Sequence, residues 1–393
     1  MKISLPIRLL TVLIGVFLFG GYVDVSLVRG FYTFSLIFKE FLGAFLPFMV
    51  FFFIAAGILT FKKNAAKILF VLISSIFLSN LFITFVSFGI GKLMMPFVVN
   101  GISTKQFVLA EQLTPFFKFS LPYFLASEKM TAFSLHAMLI AVVVGIFLSF
   151  VSLPKVENLI NKGKSFVEFI LNNIFIPIIP IYVIGFLLKI KYEGILGNLF
   201  RSYGKAYVLI ISLHIIYLFF MYLVASNFKL MEAIEYIRNS AASYLTAFST
   251  MSSTATIPVT IYCAKKNIGN TGFASIATPI MANVHLAGDG ISTPILSLVS
   301  MSIFLGFVPS IFVYSKFVFY FCLTMLAASG VPGGGIIVML PILVSILSFT
   351  PEMLSMIITL YLLQDAFGTA ANVMGDGALM IIINNWLRRF RII

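Results

Sequence analysis

Residues 240–263 read Ser-Ala-Ala-Ser-Tyr-Leu-Thr-Ala-Phe-Ser-Thr-Met-Ser-Ser-Thr-Ala-Thr-Ile-Pro-Val-Thr-Ile-Tyr-Cys, and this stretch decides what kind of protein the chain is. It lies among long apolar runs, yet its centre is too polar to face lipid. Irregular backbone at membrane depth is tolerated only when buried in protein or lining a wet cavity. Helix, polar tip and helix, with Met251 to Pro258 at the tip, is the re-entrant reading that meets this constraint. A second stretch repeats the pattern, because Gly330-Val331-Pro332-Gly333-Gly334-Gly335 lies between apolar arms at about 316–329 and 336–349. Four glycines in six residues cannot form a lipid-facing helix, so a second hairpin is expected there.

The rest of the chain supplies the membrane. Hydrophobic residues make up 61% of the 393 and charged residues only 10%, against roughly 25% charged in a soluble domain. A mean hydropathy of +1.10 over the whole length excludes a soluble enzyme on a single anchor. The net charge of +13 does not point to nucleic acid, since the basic residues sit in short clusters between apolar runs. Lys62, Lys63 and Lys67, then Lys155, Lys162 and Lys164, then Arg388, Arg389 and Arg391 read as loop anchors; the positive-inside rule places them, and both termini, in the cytoplasm. Cys263 and Cys322 have neither metal spacing nor a disulfide framework and read as buried thiols. The first residues read as a membrane helix, because no small-residue cleavage site follows Gly20-Gly21-Tyr22.

A spanning helix needs about 20 mostly apolar residues. Six stretches qualify before residue 228, at about 6–23, 38–60, 67–91, 132–152, 166–188 and 206–226, with a proline-bearing outer connection over 95–130. Beyond 228 the apolar pieces shorten. Hairpin 1 is expected at about 229–264, an interrupted helix 7 at about 270–311, hairpin 2 at about 316–349, helix 8 at about 352–386, and a basic tail at 387–393. Each hairpin precedes a helix carrying Gly-Asp-Gly, at 288–290 and 375–377, which reads as hairpin plus interrupted helix occurring twice. Corresponding broken segments in two halves are the mark of an inverted-repeat transporter with its site at mid-membrane. The expected fold is therefore an all-α polytopic membrane protein of eight transmembrane helices and two re-entrant hairpins.

The chemistry concentrates late in the sequence. Asp365, Thr369, Asn372 and Asp376 fall at i, i+4, i+7 and i+11, one face of the last helix. An Asp at the centre of a membrane helix costs on the order of 3 kcal/mol, so two in one helix require partners or water. A purely structural stripe is the bland alternative, but Asn and Thr could fill that role without charge. The tip residues Ser252, Ser253 and Thr254 offer hydroxyls and clustered backbone N–H groups, which attract carboxylates; alone, they would read equally as a packing seam. The glycine tip, Val331 to Gly335, lets backbone approach a ligand and suits a gate. His285 could carry a proton or be a packed, neutral histidine, and His136 and His214 have no partner legible in the sequence.

These motifs resemble the dicarboxylate/amino acid:cation symporters, the glutamate transporter family. Thr250-Met251-Ser252-Ser253-Thr254-Ala255-Thr256-Ile257-Pro258-Val259-Thr260 is similar to the family's serine-rich first hairpin, Gly330 to Gly335 to its second tip, and Asp365 through Asn372-Val373-Met374-Gly375-Asp376 to its last helix. The resemblance is carried by 228–386 and is colinear over 1–227. It implies a homotrimer in lipid, with 1–227 as scaffold and arms and 228–386 as a core that moves like an elevator. It further implies that Asp365 holds a substrate ammonium, while Asn372 and the Ser252, Ser253 and Thr254 tip hold its α-carboxylate. Val331, Gly335, Gly368 and Thr369 complete the expected pocket. Asp376 with Asn372 is the expected cation site, and Asn283, His285, Asp289 and Ser75 are further candidates around it. The coupling ion implied is sodium, with a proton as the alternative; no other cofactor and no transition metal is expected.

The departures narrow the substrate. Acidic-substrate members carry an arginine in the last helix where this sequence has Gly368, and some carry one in the first hairpin where it has Met251. An aspartate or glutamate side chain would be desolvated without a visible cation, which costs several kcal/mol, so a neutral amino acid is expected. An acidic substrate using another cation or a proton, and a cationic one using Asp289, remain the alternatives. Over the family's Asn-Met-Asp-Gly-Thr, an ungapped match sets His285-Leu286-Ala287-Gly288-Asp289, with Ala287 in place of the ion-site carboxylate; a two-residue insertion would restore it through Asp289. A passive channel and an intramembrane aspartyl protease are the competing classes. The second lacks its glycine pattern, because Leu286 and Val373 stand where the first glycine should be.

Overall fold

A computed structural model describes residues 5–59, 66–99, 113–122, 127–194, 196–269, 271–325 and 334–390. Every regular element among them is helical. The helices are α1 (Leu5–Phe19), α2 (Val25–Leu59), α3 (Ala66–Val98), α4 (Ser127–Phe150), α5 (Pro154–Ile170), α6 (Ile176–Tyr192) and α7 (Leu196–Ala225), followed by α8 (Leu230–Thr250), α9 (Ser253–Ile268), α10 (Thr271–Val284), α11 (Ala287–Phe304), α12 (Ile311–Met325), α13 (Gly334–Leu347) and α14 (Pro351–Arg389). Among the described residues five spans are long and apolar enough to cross a bilayer, or six if α2, bent by 41° at Pro47, is counted as one. Pro47 explains the bend, since it removes a helical hydrogen bond and its ring crowds the carbonyl four residues back. This is a multi-pass membrane protein.

Several helices outrun their apolar stretches. α2 begins at Val25 rather than near 38, because its polar first turns find partners. Arg29 Nε donates to Thr114 O at 3.1 Å, and Phe116 N donates to Thr33 Oγ1 at 2.9 Å. Ser35 Oγ donates to its own helix at Phe31 O and lies 2.8 Å from Tyr182 O on α6. The run expected as one helix over 166–188 lies within a continuous helical span, Pro154–Tyr192, which carries a π-turn at Leu171–Phe175. Pro177 lies just beyond it, and a proline ring displaces the carbonyl four residues before it, here Asn173.

The buried centre belongs to the late helices. In Gly272–Phe304 94% of the apolar window is buried in the protein and in α14 83%, against 39% in α3 and in α7, so α11 and α14 are enclosed by protein and can carry polar groups. α11 packs against α3, α7 and α14, and α14 also receives α8, α9 and α10. α8 and α9 pack on each other about a two-residue turn, Met251 and Ser252, in which Met251 is left-handed at φ 50°. The first Gly-Asp-Gly follows a helix break, but the break is at His285–Leu286, before the glycines. The second does not interrupt anything: α14 is helical from 351 to 389 through Gly375-Asp376-Gly377, which corrects the expectation of two interrupted helices. A helical glycine costs only about 1 kcal/mol, and close packing offsets it here, Gly375 lying against Ala287 and Gly377 against Tyr222.

The α2–α6 crossing shows how tight this packing is. A Cβ added to Gly185 would meet Ser35 Oγ and Phe31 O, and would lie 2.7 Å from the Phe31 carbonyl carbon. Gly185→Ala should therefore destabilise the protein by about 1–3 kcal/mol, read as a lower apparent melting temperature in detergent. Gly15→Ala, where a Cβ meets nothing within 4 Å, should leave it unchanged apart from a helix-propensity gain.

Candidate functional site

α14 starts at Thr350, whose side chain caps Met353 N, with Pro351 at its first position. Because the helix is unbroken, Asp365, Thr369, Asn372 and Asp376 do share a face, and all four are buried. Thr369 Oγ1 donates to Asp365 Oδ1 at 3.1 Å. Asn372 is engaged at both ends of its amide: Gly288 N donates to its Oδ1 at 2.7 Å, and its Nδ2 lies 3.4 Å from Asp289 Oδ2. Tyr361, eleven residues before Asn372 on the same face, donates to Asp289 Oδ1 at 2.6 Å. The stripe is thus closed onto the first turn of α11. Gly368 and Gly288 make the approach possible, since a Cβ on Gly288 would strike Gly368 O.

The break between α10 and α11 leaves a carbonyl and an amide without helical partners. Asn80 of α3 takes both: its Nδ2 donates to Val284 O at 2.8 Å, and Leu286 N donates to its Oδ1 at 3.1 Å. The residue just before Asn80, Ser79, has its Oγ 3.0 Å from His285 Nε2 and 3.3 Å from Tyr217 Oη. His285 Nδ1 donates to Asp376 Oδ1 at 2.8 Å. One polarity satisfies the whole chain, with Tyr217 donating to Ser79, Ser79 to Nε2 and Nδ1 to the carboxylate. His285 is therefore bonded to side chains rather than to backbone. Asp376 Oδ2 is buried and makes no hydrogen bond among the described residues.

The other predicted residues take these places. Ser252 caps α9, accepting from Ala255 N at 3.2 Å, and its hydroxyl is 3.0 Å from Thr254 Oγ1. Ser253 is buried and Thr254 half-buried in the same turn. Phe248, just before the tip, stacks edge-on against Phe367 of α14 at 5.0 Å. A Cβ on Gly335 would lie 2.5 Å from Tyr361 Oη and 3.3 Å from Asp289 Oδ2, so the start of α13 rests on that pair. Val331 lies outside the described residues. Ala287 packs on Gly375, while Asp289 faces Tyr361 and Asn372. Asn283 bonds back to Pro279 O within α10, and Ser75 sits half-buried one turn before Ser79, which supplies the hydroxyl that meets His285.

Sequence reasoning placed a helix at about 206–226 but missed its part in the site, and it missed Asn80. His214 Nε2 is 3.1 Å from Gly288 O, Tyr222 Oη donates to Met374 O at 3.1 Å, Tyr207 to Leu360 O at 2.6 Å, and Tyr203 Oη is 2.8 Å from Ser300 Oγ. The signal was present: 203, 207, 214 and 217 fall on one helical face. A polar stripe on an apolar helix marks the side turned toward other polar helices.

The profile described as the sodium:dicarboxylate symporter family matches residues 5–386. The chain belongs to that family. Its members are transporters and not enzymes, which removes the protease reading of the two aspartates. The chain is also similar to a serine/threonine transporter of Acinetobacter baumannii, 30% identical over 138 residues, a match covering 34% of each protein. That match thus spans about a third of the curated relative.

Asn80 ties the break to α3. Asn80→Ala would leave Val284 O and Leu286 N unpaired in a buried place, a cost of about 2–6 kcal/mol at 1–3 kcal/mol for each group. Thermal melting in detergent should show a large drop, whereas Leu78→Ala, on the exposed side of the same helix, should change little.

Proposed function

We propose that the protein is a sodium-coupled symporter of a neutral amino acid. The observation that carries this is the charge balance of α14. From Pro351 to Trp386 it has Glu352, Asp365 and Asp376 and no Lys or Arg. Asp365, buried with Thr369 on its carboxylate, is matched by a substrate ammonium. No basic side chain stands on this helix for a second carboxylate, so an acidic side chain would enter uncompensated. Asp289 is already held by Tyr361 and Asn372, which weighs against a cationic side chain. The name of the A. baumannii relative, a serine/threonine transporter, supports the same class.

The rest of the reading follows from the resemblance and the contacts together. The substrate α-carboxylate falls to Asn372, whose amide keeps a second N–H beyond its bond to Asp289, and to Ser252, Ser253 and Thr254 at the N-terminus of α9. The unpaired Oδ2 of Asp376 suits a hard cation such as sodium, which takes oxygen ligands; backbone carbonyls freed near the break would complete its shell. His285 holds the opposite oxygen and keeps the carboxylate oriented. The α8–α9 turn acts as a re-entrant tip, and 228–386 moves against 1–227 within a homotrimer of the inner membrane, both termini cytoplasmic.

Uptake of labelled amino acids into proteoliposomes under a sodium gradient tests this. Saturable, sodium-dependent accumulation of a neutral amino acid is expected; conductance without saturation would instead indicate a channel. Asp365→Ala should lower substrate affinity by at least roughly tenfold, since a hydrogen bond to a charged group is lost, and wild-type uptake in that variant would sink the ammonium assignment. Asp376→Asn should raise the sodium concentration needed for half-maximal uptake by tenfold or more. An unaltered sodium titration would remove Asp376 from the cation site.

A further inference from the structure

We propose that Gln364 reads the substrate's side chain, and that the side chain it selects ends in a hydroxyl or a carboxamide. The inference rests on the amino-acid reading above and adds to it the residue and the chemical class. Gln364 directly precedes Asp365 on α14 and is only 3% exposed. Neither its Oε1 nor its Nε2 makes a hydrogen bond among the described residues. Of the buried side chains with an unpaired polar atom, it alone has two such atoms there. Buried polar groups are nearly always satisfied, so such an amide calls for an explanation.

Its position supplies one. A Cβ built on Gly368 would lie 3.3 Å from both Nε2 and Oε1, so the amide lies along the face that Gly368 leaves bare. Gln364 and Gly368 each stand one residue before a member of the Asp365–Thr369 pair, and one turn back along the helix Tyr361 bonds to Asp289. The amide therefore borders the polar stripe, on the side of the helix that Gly368 leaves open. A planar group offering one acceptor and two donor hydrogens is complemented by a group that both gives and takes hydrogen bonds. Hydroxyl and carboxamide side chains do this. A carboxylate would satisfy Nε2 and be repelled by Oε1, an ammonium would do the reverse, and an apolar side chain would leave both unpaired. Sites built to hydrogen-bond a substrate group discriminate against isosteres that lack it.

The test uses the purified full-length protein in sodium, with binding followed by calorimetry and by ligand-induced thermal stabilisation. Threonine against valine is the near-isosteric pair, and serine against alanine the second. Wild type should prefer threonine to valine by roughly tenfold or more. Gln364→Leu and Gln364→Met should erase that preference by weakening threonine and serine, with alanine and valine unchanged or tighter. Their ligand-free melting temperature should hold or rise, because an apolar group replaces an unpaired buried amide. A variant that weakens alanine and threonine alike, or keeps the preference, would overturn the assignment, as would a wild-type threonine-to-valine ratio near one even if neither variant folds. Wild type binding no amino acid at all would refute the transport reading itself, a result distinct from binding without side-chain preference.

Discussion

A helix that stops in the interior of a membrane protein leaves polar backbone where no lipid or bulk water can satisfy it. The break at His285–Leu286 is held by one amide, Asn80, which donates to the last carbonyl of α10 and accepts from the N–H just beyond the break. The other features of the site depend on this arrangement. Because the break is pinned to α3, His285 is presented to Asp376 and Ser79, and the first turn of α11 is set so that Gly288 N and the Asp289 carboxylate meet the Asn372 amide. Had the chain run on as a straight helix, neither the His285 ring nor the Gly288 amide would be turned toward α14.

The glycines determine how close these parts come. A methyl group on Gly288 would collide with Gly368 O, and one on Gly335 would crowd Tyr361 Oη and Asp289 Oδ2. α11, α13 and α14 therefore converge at positions that tolerate no side chain. The effect is to bring the two aspartate centres into one buried region while keeping them distinct, Asp289 with Tyr361 and Asn372, Asp376 with His285. α7 completes the enclosure with tyrosine hydroxyls bonded to backbone carbonyls of α14, at Leu360 and Met374. Such bonds satisfy carbonyls that a polar stripe, with its competing side chains, would otherwise leave weakly shared.

Much of this was legible in the sequence, for reasons that can be named. The α8–α9 turn was visible because Ser, Thr and Pro at 249–258 cannot continue a lipid-facing helix, and the α14 stripe because 365, 369, 372 and 376 obey helical spacing. Helix lengths were less legible: hydropathy recognises apolar residues, whereas α2 and α7 extend through Arg29, Thr33 and Lys205 by bonding them to other segments. The two Gly-Asp-Gly triplets look alike, yet one follows a break and the other lies inside an intact helix. The difference is in Asn80, more than 200 residues from the break it closes, and no local pattern shows such a partner. The same applies to His214, which meets Gly288 O across 74 residues.

The absence of a basic residue on α14 before Arg388 has a further consequence for how the site works. Asp365 and Asp376 together bring negative charge into a region that α3, α7, α8, α9, α10 and α11 enclose, and burying it uncompensated is costly. One carboxylate is partly answered from within, by His285. The other accepts a hydrogen bond from the Thr369 hydroxyl. On the proposed reading, a substrate ammonium at Asp365 and a cation at the unpaired oxygen of Asp376 carry the same sign, so each weakens the field that attracts the other and charge alone gives no positive coupling. The link between ion and substrate then falls to the α11 break, which Asn372 touches through Gly288 N and Asp376 through His285, a shared element that both ligands would have to hold in one arrangement.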